Sequence, residues 1–211
     1  MSKVIWLFSF VFIVIAGKAQ YTGYKPLADA GSFKEQFARA SLQTNSIKSD
    51  FVQEKNLSLL SEKMISKGKF WFKKEALLRM EYIEPFQYLM IINNSNVLIR
   101  DGQKENRVNT KSSKLFRQIN DIMVDCVKGS ALANPDFTVR VFDGKQAFLV
   151  ELSPVAKNVK EYFRTILVTV DKKDYTANSI EMNEQSGDNT VIHFINKELN
   201  VNIPDALFAI R

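Results

Sequence analysis

The sequence predicts a mainly β, α+β fold in which about nine to eleven short strands and two helices form a single domain. Short apolar or alternating segments follow one another between turn signals, which is typical of antiparallel strands. The two helical segments are too irregularly spaced for alternating βαβ units. Many short strands within 211 residues therefore indicate one antiparallel sheet that is closed or nearly closed.

The composition is that of an ordinary globular protein, with 45% hydrophobic and 25% charged residues and a formal net charge of +6. Such a chain can bury a core, so wholesale disorder is excluded. One cysteine, Cys126, excludes a disulfide scaffold. Eight glycines and five prolines exclude a collagen-like or low-complexity chain.

The N-terminal segment has the three-part plan of a secretory signal peptide. Lys3 supplies a positive charge, residues 4–16 are an apolar run, and small residues precede a cleavage site before Gln20. As a helix, the run spans roughly 20 Å, which is short of the ~30 Å hydrocarbon core of a membrane. We expect residues 1–19 to be removed and residues 20–211 to form one soluble, exported domain.

The first helix is predicted just after Gly31. Ser32 and Glu35 have the spacing of a capping box, and Phe33 and Phe37 begin one apolar face. Strands follow once the period changes to two residues. The first five predicted strands are Asp50–Lys55, Gly68–Phe72, Leu78–Ile83, Tyr88–Ile92 and Asn96–Arg100.

A second amphipathic helix is predicted at Leu115–Lys128. Phe116, Ile119 and Met123 lie on its apolar face, and Gly129 follows as a stop signal. Strands then resume, with turn signals at Asp143–Gly144 and Ser186–Asn189. The remaining predicted strands are Phe137–Phe142, Ala147–Leu152, Phe163–Val170, Ala177–Glu184 and Thr190–Asn196.

Side chains that carry catalytic or metal chemistry are scarce. His193 is the single histidine, and its place in an apolar strand favours a packed or surface role over catalysis. Transition-metal sites use several clustered ligands, and one histidine with one cysteine far away in sequence argues against such a site. The sequence also lacks a glycine-rich phosphate loop. We therefore predict no catalytic residue, no metal and no cofactor, and an enzyme acting on lipids through His193 is the third alternative.

Two groups of basic residues have several interpretations. One is the stretch Arg100–Arg117, and the other comprises Lys67, Lys69, Lys73 and Lys74. A solvated face that favours solubility explains both. A lipid head group, an acidic protein or an anionic membrane surface are alternatives that suit an exported protein. Export argues against nucleic acid as a partner.

Several strands are apolar on both faces. Alternation is lost at Phe70–Phe72, Leu77–Leu78, Leu89–Ile92 and Ile166–Val168, which indicates that both faces of the sheet are covered. From Leu78 onwards, Leu78, Met80 and Tyr82 alternate with Arg79 and Glu81. Either the interior is a well-filled core, or it holds an apolar cavity closed by a helical lid, as in small barrels that bind a ligand.

An ordered set of weak motifs resembles the periplasmic outer-membrane lipoprotein carrier family, the LolA-type proteins. The similarity extends over nearly the whole exported chain. The pieces that carry it are Ile47–Gln53, Gly68–Lys74, Leu78–Tyr82, Ser179–Met182, Gly187–Asn196 and Asn200–Phe208.

This resemblance implies an unclosed antiparallel β-barrel whose mouth is covered by helices. It implies a monomeric carrier without a cofactor, which takes acylated lipoprotein from an inner-membrane ABC exporter to an outer-membrane acceptor. The family has an Arg-Pro pair where this chain has Lys74–Glu75, so Lys74 is the candidate lid contact. The expected cavity and lid residues are Phe51, Phe70, Phe72, Leu78, Met80, Tyr82, Met90, Phe116, Ile119 and Met123.

Two alternatives use the same fold. One is a carrier of a different lipid, such as a glycolipid. The other is an envelope module that senses lipid or binds a partner instead of transporting cargo.

Overall fold

The protein is described by a computed structural model over residues 21–59, 62–74, 76–94, 96–102, 104–109, 125 and 130–210. The predicted signal peptide lies outside the described residues. So does most of the predicted helix Leu115–Lys128, including Phe116, Ile119 and Met123.

Twelve strands and two α-helices are found among the described residues. The helices are α1 (Gly31–Gln43) and the single turn α2 (Lys157–Lys160), with 3-10 turns at Ser130–Ala133 and Asp205–Phe208. The strands are β1 (Tyr24–Pro26), β2 (Ser46–Leu57), β3 (Glu62–Lys73), β4 (Leu77–Glu84), β5 (Tyr88–Asn93), β6 (Asn96–Asp101), β7 (Lys104–Asn109), β8 (Phe137–Gly144), β9 (Ala147–Pro154), β10 (Phe163–Asp171), β11 (Ala177–Glu184) and β12 (Asn189–Leu199).

All twelve strands form one antiparallel sheet in the order β1-β8-β9-β10-β11-β12-β2-β3-β4-β5-β6-β7. Neighbours in the sheet are mostly neighbours in sequence, as in a meander of hairpins. The described ladders leave β1 and β7 as the two edges, so the sheet is not closed. The predicted mainly β fold with an unclosed, barrel-like sheet is confirmed.

The ten predicted strands are all present, and the two that the sequence analysis missed are the edges. β1 has three residues and ends in Pro26, and β7 begins Lys-Glu-Asn-Arg. Short, charged or proline-containing edge strands resist pairing with another chain. The same features remove the apolar alternation by which interior strands are recognised.

Helix α1 is where it was predicted, but the predicted capping box is wrong. The helix begins at Gly31 without a side-chain cap, and Ser32 Oγ instead accepts a hydrogen bond from Gln36 Nε2 at 3.0 Å. Phe33 and Phe37 are buried, as expected from their spacing. The Phe33 ring lies 4.7 Å from that of Phe148, so α1 packs on the inner face of the sheet.

The outer face of β3 to β6 is also covered, by the C-terminal segment (residues 200–210). Ile203 and Phe208 of this segment form a second apolar cluster with Ile91 and Leu98, and Trp71 packs against it. The prediction that both faces are covered is confirmed for these strands. The outer cover, however, is an extended segment with a 3-10 turn rather than a helix.

Polar side chains of the sheet fasten the C-terminal segment. The contacts are Ser46 Oγ to the Val201 carbonyl at 2.6 Å, Arg79 Nη1 to the Leu207 carbonyl at 3.1 Å, Asn93 Nδ2 to the Phe208 carbonyl at 3.1 Å, and an ion pair between Lys73 and Asp205. Each donor lies on a different strand, so the segment joins β2, β3, β4 and β5 into one unit.

Candidate functional site

The inner face of the sheet is filled at one end. Ile47, Phe72, Leu78, Ile92 and Val97 are direct cross-strand neighbours on β2 to β6. All five are buried. They form a continuous apolar row, and they belong to the same core cluster as the phenylalanines of α1.

The other end of the inner face is open and contains a cavity of about 510 Å³. This volume falls in the range of ~300–1,000 Å³ that small-molecule sites occupy. The lining residues come from six strands and two loops: Gln53, Lys55, Met80, Tyr82, Phe86, Tyr88, Met90, Tyr162, Phe163, Met182, Glu184, Thr190 and Ile192.

Three methionines and an isoleucine supply the aliphatic part of this lining. Met80 and Ile192 are almost completely buried, at 2% and 3% exposure. Met80 and Met90 are direct cross-strand partners, and Met182 lies across the sheet on β11. Methionine has an unbranched, flexible side chain that adapts to ligands of irregular shape. The cavity is therefore suited to an aliphatic chain more than to a rigid, polar ligand.

Aromatic side chains form one wall of the cavity. The ring of Tyr82 lies 4.9 Å from that of Phe51, 5.4 Å from that of Tyr88 and 6.2 Å from that of Phe86. Tyr82 donates a hydrogen bond from its hydroxyl to Gln53 Oε1 at 2.9 Å. Burial raises the pKa of the Tyr82 hydroxyl, with a smaller contribution from Tyr88. The wall thus stays uncharged at physiological pH.

Of the predicted cavity residues that the structure describes, three line this cavity: Met80, Tyr82 and Met90. Phe51, Phe70, Phe72 and Leu78 are instead buried in the adjoining core, at 0–1% exposure. The ring of Phe51 is one reason why this part of the interior is filled. It lies over Gly68, where an added Cβ would be 2.7 Å from the ring, so Phe51 fills the space that a side chain on β3 would otherwise occupy.

Sequence reasoning missed the lining residues on β10 to β12, among them Phe163, Met182 and Ile192. Their alternation along each strand was visible and placed them on one face. However, the register of the strands and the curvature of the sheet decide which strands face each other across the interior. A single sequence gives neither of them.

Three polar side chains border the cavity on neighbouring strands. We call Lys55, Glu184 and Thr190 the polar corner. Lys55 Nζ lies 3.9 Å from Glu184 Oε1, and Thr190 Oγ1 donates to the same oxygen at 3.4 Å. Both contacts are longer than ordinary hydrogen bonds.

Lys74, the predicted lid contact, binds the end of α1. Its Nζ donates to the carbonyl of Leu42 in the last turn of the helix, and its backbone N–H donates to the Asn45 carbonyl at 2.8 Å. A cation is favourable at this position because the last carbonyls of a helix are unsatisfied and carry partial negative charge.

Ion pairs involve many members of the two basic groups. The pairs are Lys67–Glu84, Lys69–Asp50, Lys73–Asp205, Arg100–Glu105 and Arg107–Glu105. These carboxylates lower the net positive charge that an anionic partner would meet at these positions.

His193 points away from the cavity. It lies between the buried residues Ile192 and Phe194 on β12 and is exposed on the opposite face. Among the described residues, no group of three or more His, Cys, Asp or Glu side chains has the arrangement of a metal site. None of the helices in the described part of the chain has the length and apolar character needed to cross a membrane.

Comparisons with solved structures give matches at low sequence identity. The chain resembles MucB (14% identity, TM-score 0.51, covering 88% of this chain and 64% of that one). It also resembles an uncharacterized conserved protein from Thermus thermophilus (8%, 0.51, 85% and 93%) and a LolA superfamily protein from Nitrosomonas europaea (11%, 0.46, 87% and 98%). At such identities the first two matches show the fold alone. No curated protein sequence matches the chain.

A family model gives a more specific result. The model of the outer membrane lipoprotein carrier protein LolA matches residues 42–211. This range includes every strand that lines the cavity. The chain therefore belongs to the LolA family of outer membrane lipoprotein carrier proteins.

Proposed function

We propose that this protein is a periplasmic carrier that binds acyl chains of a lipoprotein in the cavity and moves them from the inner to the outer membrane. It acts as an exported monomer, without a cofactor, between an inner-membrane ABC exporter and an outer-membrane acceptor. The single observation that carries the proposal is the methionine- and aromatic-lined cavity on the inner face of a LolA-family sheet.

A lipoprotein needs such a carrier because the exposure of its acyl chains to water costs a large free energy. A diacylated lipoprotein exposes ~30 methylenes, and each costs about 0.8 kcal/mol in water, so the total is on the order of 20 kcal/mol. Free diffusion between membranes is negligible at that cost. A cavity that takes up an acyl chain removes its apolar surface from water while the polar part of the cargo stays outside.

The first experiment is mass spectrometry of the apolar molecules that purify with the protein from its native envelope. We expect acylated peptide or lipoprotein. A glycolipid or other lipophile would instead identify a carrier of a different lipid. Protein that purifies without lipid and binds no acyl probe would contradict the proposal and favour the module that binds a protein partner.

Met80→Arg tests the cavity directly. Met80 lies at the buried base of the cavity, and an arginine there can extend towards the open mouth and keep its charge hydrated. We expect a folded protein, by circular dichroism, that has lost most of its bound lipid. In a filled core the same unpaired charge would cost several kcal/mol, a large share of a total stability of about 5–15 kcal/mol.

Ile83→Arg is the matched control, because Ile83 lies on the same strand but is 50% exposed. We expect it to retain both fold and lipid. Arg79 on β4 is unsuitable as a control, since its side chain binds Glu81 and the Leu207 carbonyl. If Met80→Arg unfolds, the half-buried Met90→Arg repeats the test. Normal lipid content in folded Met90→Arg would contradict the proposed cavity.

A further inference from the structure

The polar corner lies directly beyond the aliphatic lining. Thr190 is the cross-strand partner of both Lys55 and Met182. Glu184 follows Met182 by two residues on β11 and therefore lies on the same face. All four line the cavity. An aliphatic chain lying along Met182 and Ile192 consequently has one of its ends at the polar corner.

The two charges of the polar corner form a loose ion pair, and their side chains are 38% and 29% exposed. At 3.9 Å, Lys55 Nζ and Glu184 Oε1 are too far apart for a hydrogen bond. Glu184 Oε1 receives only the long contact from Thr190, and Glu184 Oε2 has no partner among the described residues. A strong donor and a strong acceptor therefore face the cavity side by side.

This pair discriminates between polar groups by charge. A carboxylate that approaches Lys55 also approaches the like charge of Glu184, and the repulsion opposes the attraction. A neutral group with both a donor and an acceptor avoids this conflict, because it can accept from Lys55 and donate to Glu184. Hydrogen bonds to charged partners are stronger than those between neutral groups.

Gln53 adds a further donor. Its Oε1 is engaged by Tyr82, and its Nε2 has no partner among the residues that the structure describes. Gln53 is the cross-strand partner of Ile192, so this amide lies beside the aliphatic lining and suits a carbonyl oxygen.

We infer that the polar corner selects lipids whose first polar group is neutral and can accept a hydrogen bond from Lys55, such as an acyl amide, an ester or an alcohol. Free fatty carboxylates are disfavoured, because the like charge of Glu184 repels them. This inference rests on the proposed carrier function and specifies the head-group chemistry of its cargo.

Four probes with the same alkyl chain test the inference: N-methyl lauramide, lauryl alcohol, methyl laurate and laurate. Each is titrated, below its aggregation concentration, against delipidated protein carrying an apolar fluorescent probe that has no head group. We expect the amide, the alcohol and the ester to displace the probe at concentrations about tenfold lower than the carboxylate.

Glu184→Gln separates this effect from general loss of structure. Removing the anion leaves Lys55 unopposed, so laurate affinity should rise about tenfold while methyl laurate affinity stays the same. Glu54→Gln is the matched control. Glu54 neighbours Lys55 in sequence but pairs with Lys63 on the outer face, so its replacement should change neither ligand.

Two results would contradict the inference, and they have different consequences for the proposed carrier function. Equal affinity for all four probes, unchanged by Glu184→Gln, would show that the polar corner does not read the head group, and the carrier function would stand. Failure of the wild-type protein to bind either the fluorescent probe or any of the four lipids would refute both the inference and the carrier function.

Discussion

At the scale of single residues, Glu151 is the one charged residue that is buried in the described part of the chain. It is 3% exposed on β9 and accepts hydrogen bonds from Arg140 Nη2 at 2.6 Å, the Tyr21 hydroxyl at 2.8 Å and Ser153 Oγ at 2.9 Å. Burial acts to raise the pKa of this carboxyl, but the three hydrogen bonds outweigh it and the pKa lies below its usual value.

Glu151→Gln should lower the free energy of unfolding near neutral pH by about 1–3 kcal/mol, because Arg140 loses its charged partner. A folded pKa below the unfolded value of about 4.3 stabilises the protein above that pH. The contribution is lost as the pH falls through the folded pKa. Urea unfolding should therefore show the two proteins converging at acid pH.

Glu198→Gln is the control for this prediction, since Glu198 forms an exposed pair with Lys48 and such pairs contribute little. Equal stability of Glu151→Gln and wild type near neutral pH would show that the buried contacts do not stabilise the fold.

The face of a strand on which a side chain lies could be predicted from the sequence where residues alternate with a period of two. The alternation of Leu78, Met80 and Tyr82 gave the inward face of β4 correctly. It could not separate Leu78, which lies in the filled row, from Met80, which lines the cavity. That division depends on how far α1 and the large rings of neighbouring strands reach into the interior, which is a property of tertiary packing.

At the scale of elements, the C-terminal segment and the cavity lie on opposite faces of the sheet, so they should be separable by mutation. Phe208 is fully buried in the outer cluster, and Phe208→Ala should lower stability by about 3–5 kcal/mol. Lipid bound per folded molecule should remain unchanged. Denaturant unfolding and lipid analysis of the same sample measure both quantities.

The neighbouring Leu207→Ala is the matched control. Leu207 is only partly buried in the same cluster, so this substitution should lower the free energy of unfolding less than Phe208→Ala does. Loss of lipid in folded Phe208→Ala would indicate that the outer segment controls the cavity.

Element prediction succeeded for strands inside the sheet and failed at its edges. Interior strands have a partner on each side, and β3 to β6 are also covered on both faces. Apolar runs such as Phe70–Phe72 therefore identify them clearly. Edge strand β7 is charged because an apolar edge would promote aggregation. The outer cover of β3 to β6 was not predicted, because the extended segment after Asn200 carries no helical period and buries its apolar residues individually.

At the scale of the whole molecule, the interior is divided into a filled end and an open end along the same strands. The filled end has the row from Ile47 to Val97, and the open end has the cavity. The family motifs allowed the unclosed barrel to be predicted. The position of this division depends on volumes contributed by many strands at once, which no single motif encodes.

This division predicts how cargo binding changes local stability, measured by amide hydrogen exchange with and without bound acyl ligand. A ligand stabilises the states in which its site is formed, and local opening exposes the cavity end without unfolding the filled end. Protection should therefore rise in the second half of β2, the end of β11 and the start of β12. The amides near Phe72 and Ile92 should already exchange at the limit set by global unfolding. The gain there should equal the overall gain in stability, which is also the upper limit for the amides around the cavity. Protection that rises at the filled end but not around the cavity would place the ligand elsewhere and contradict the proposed site.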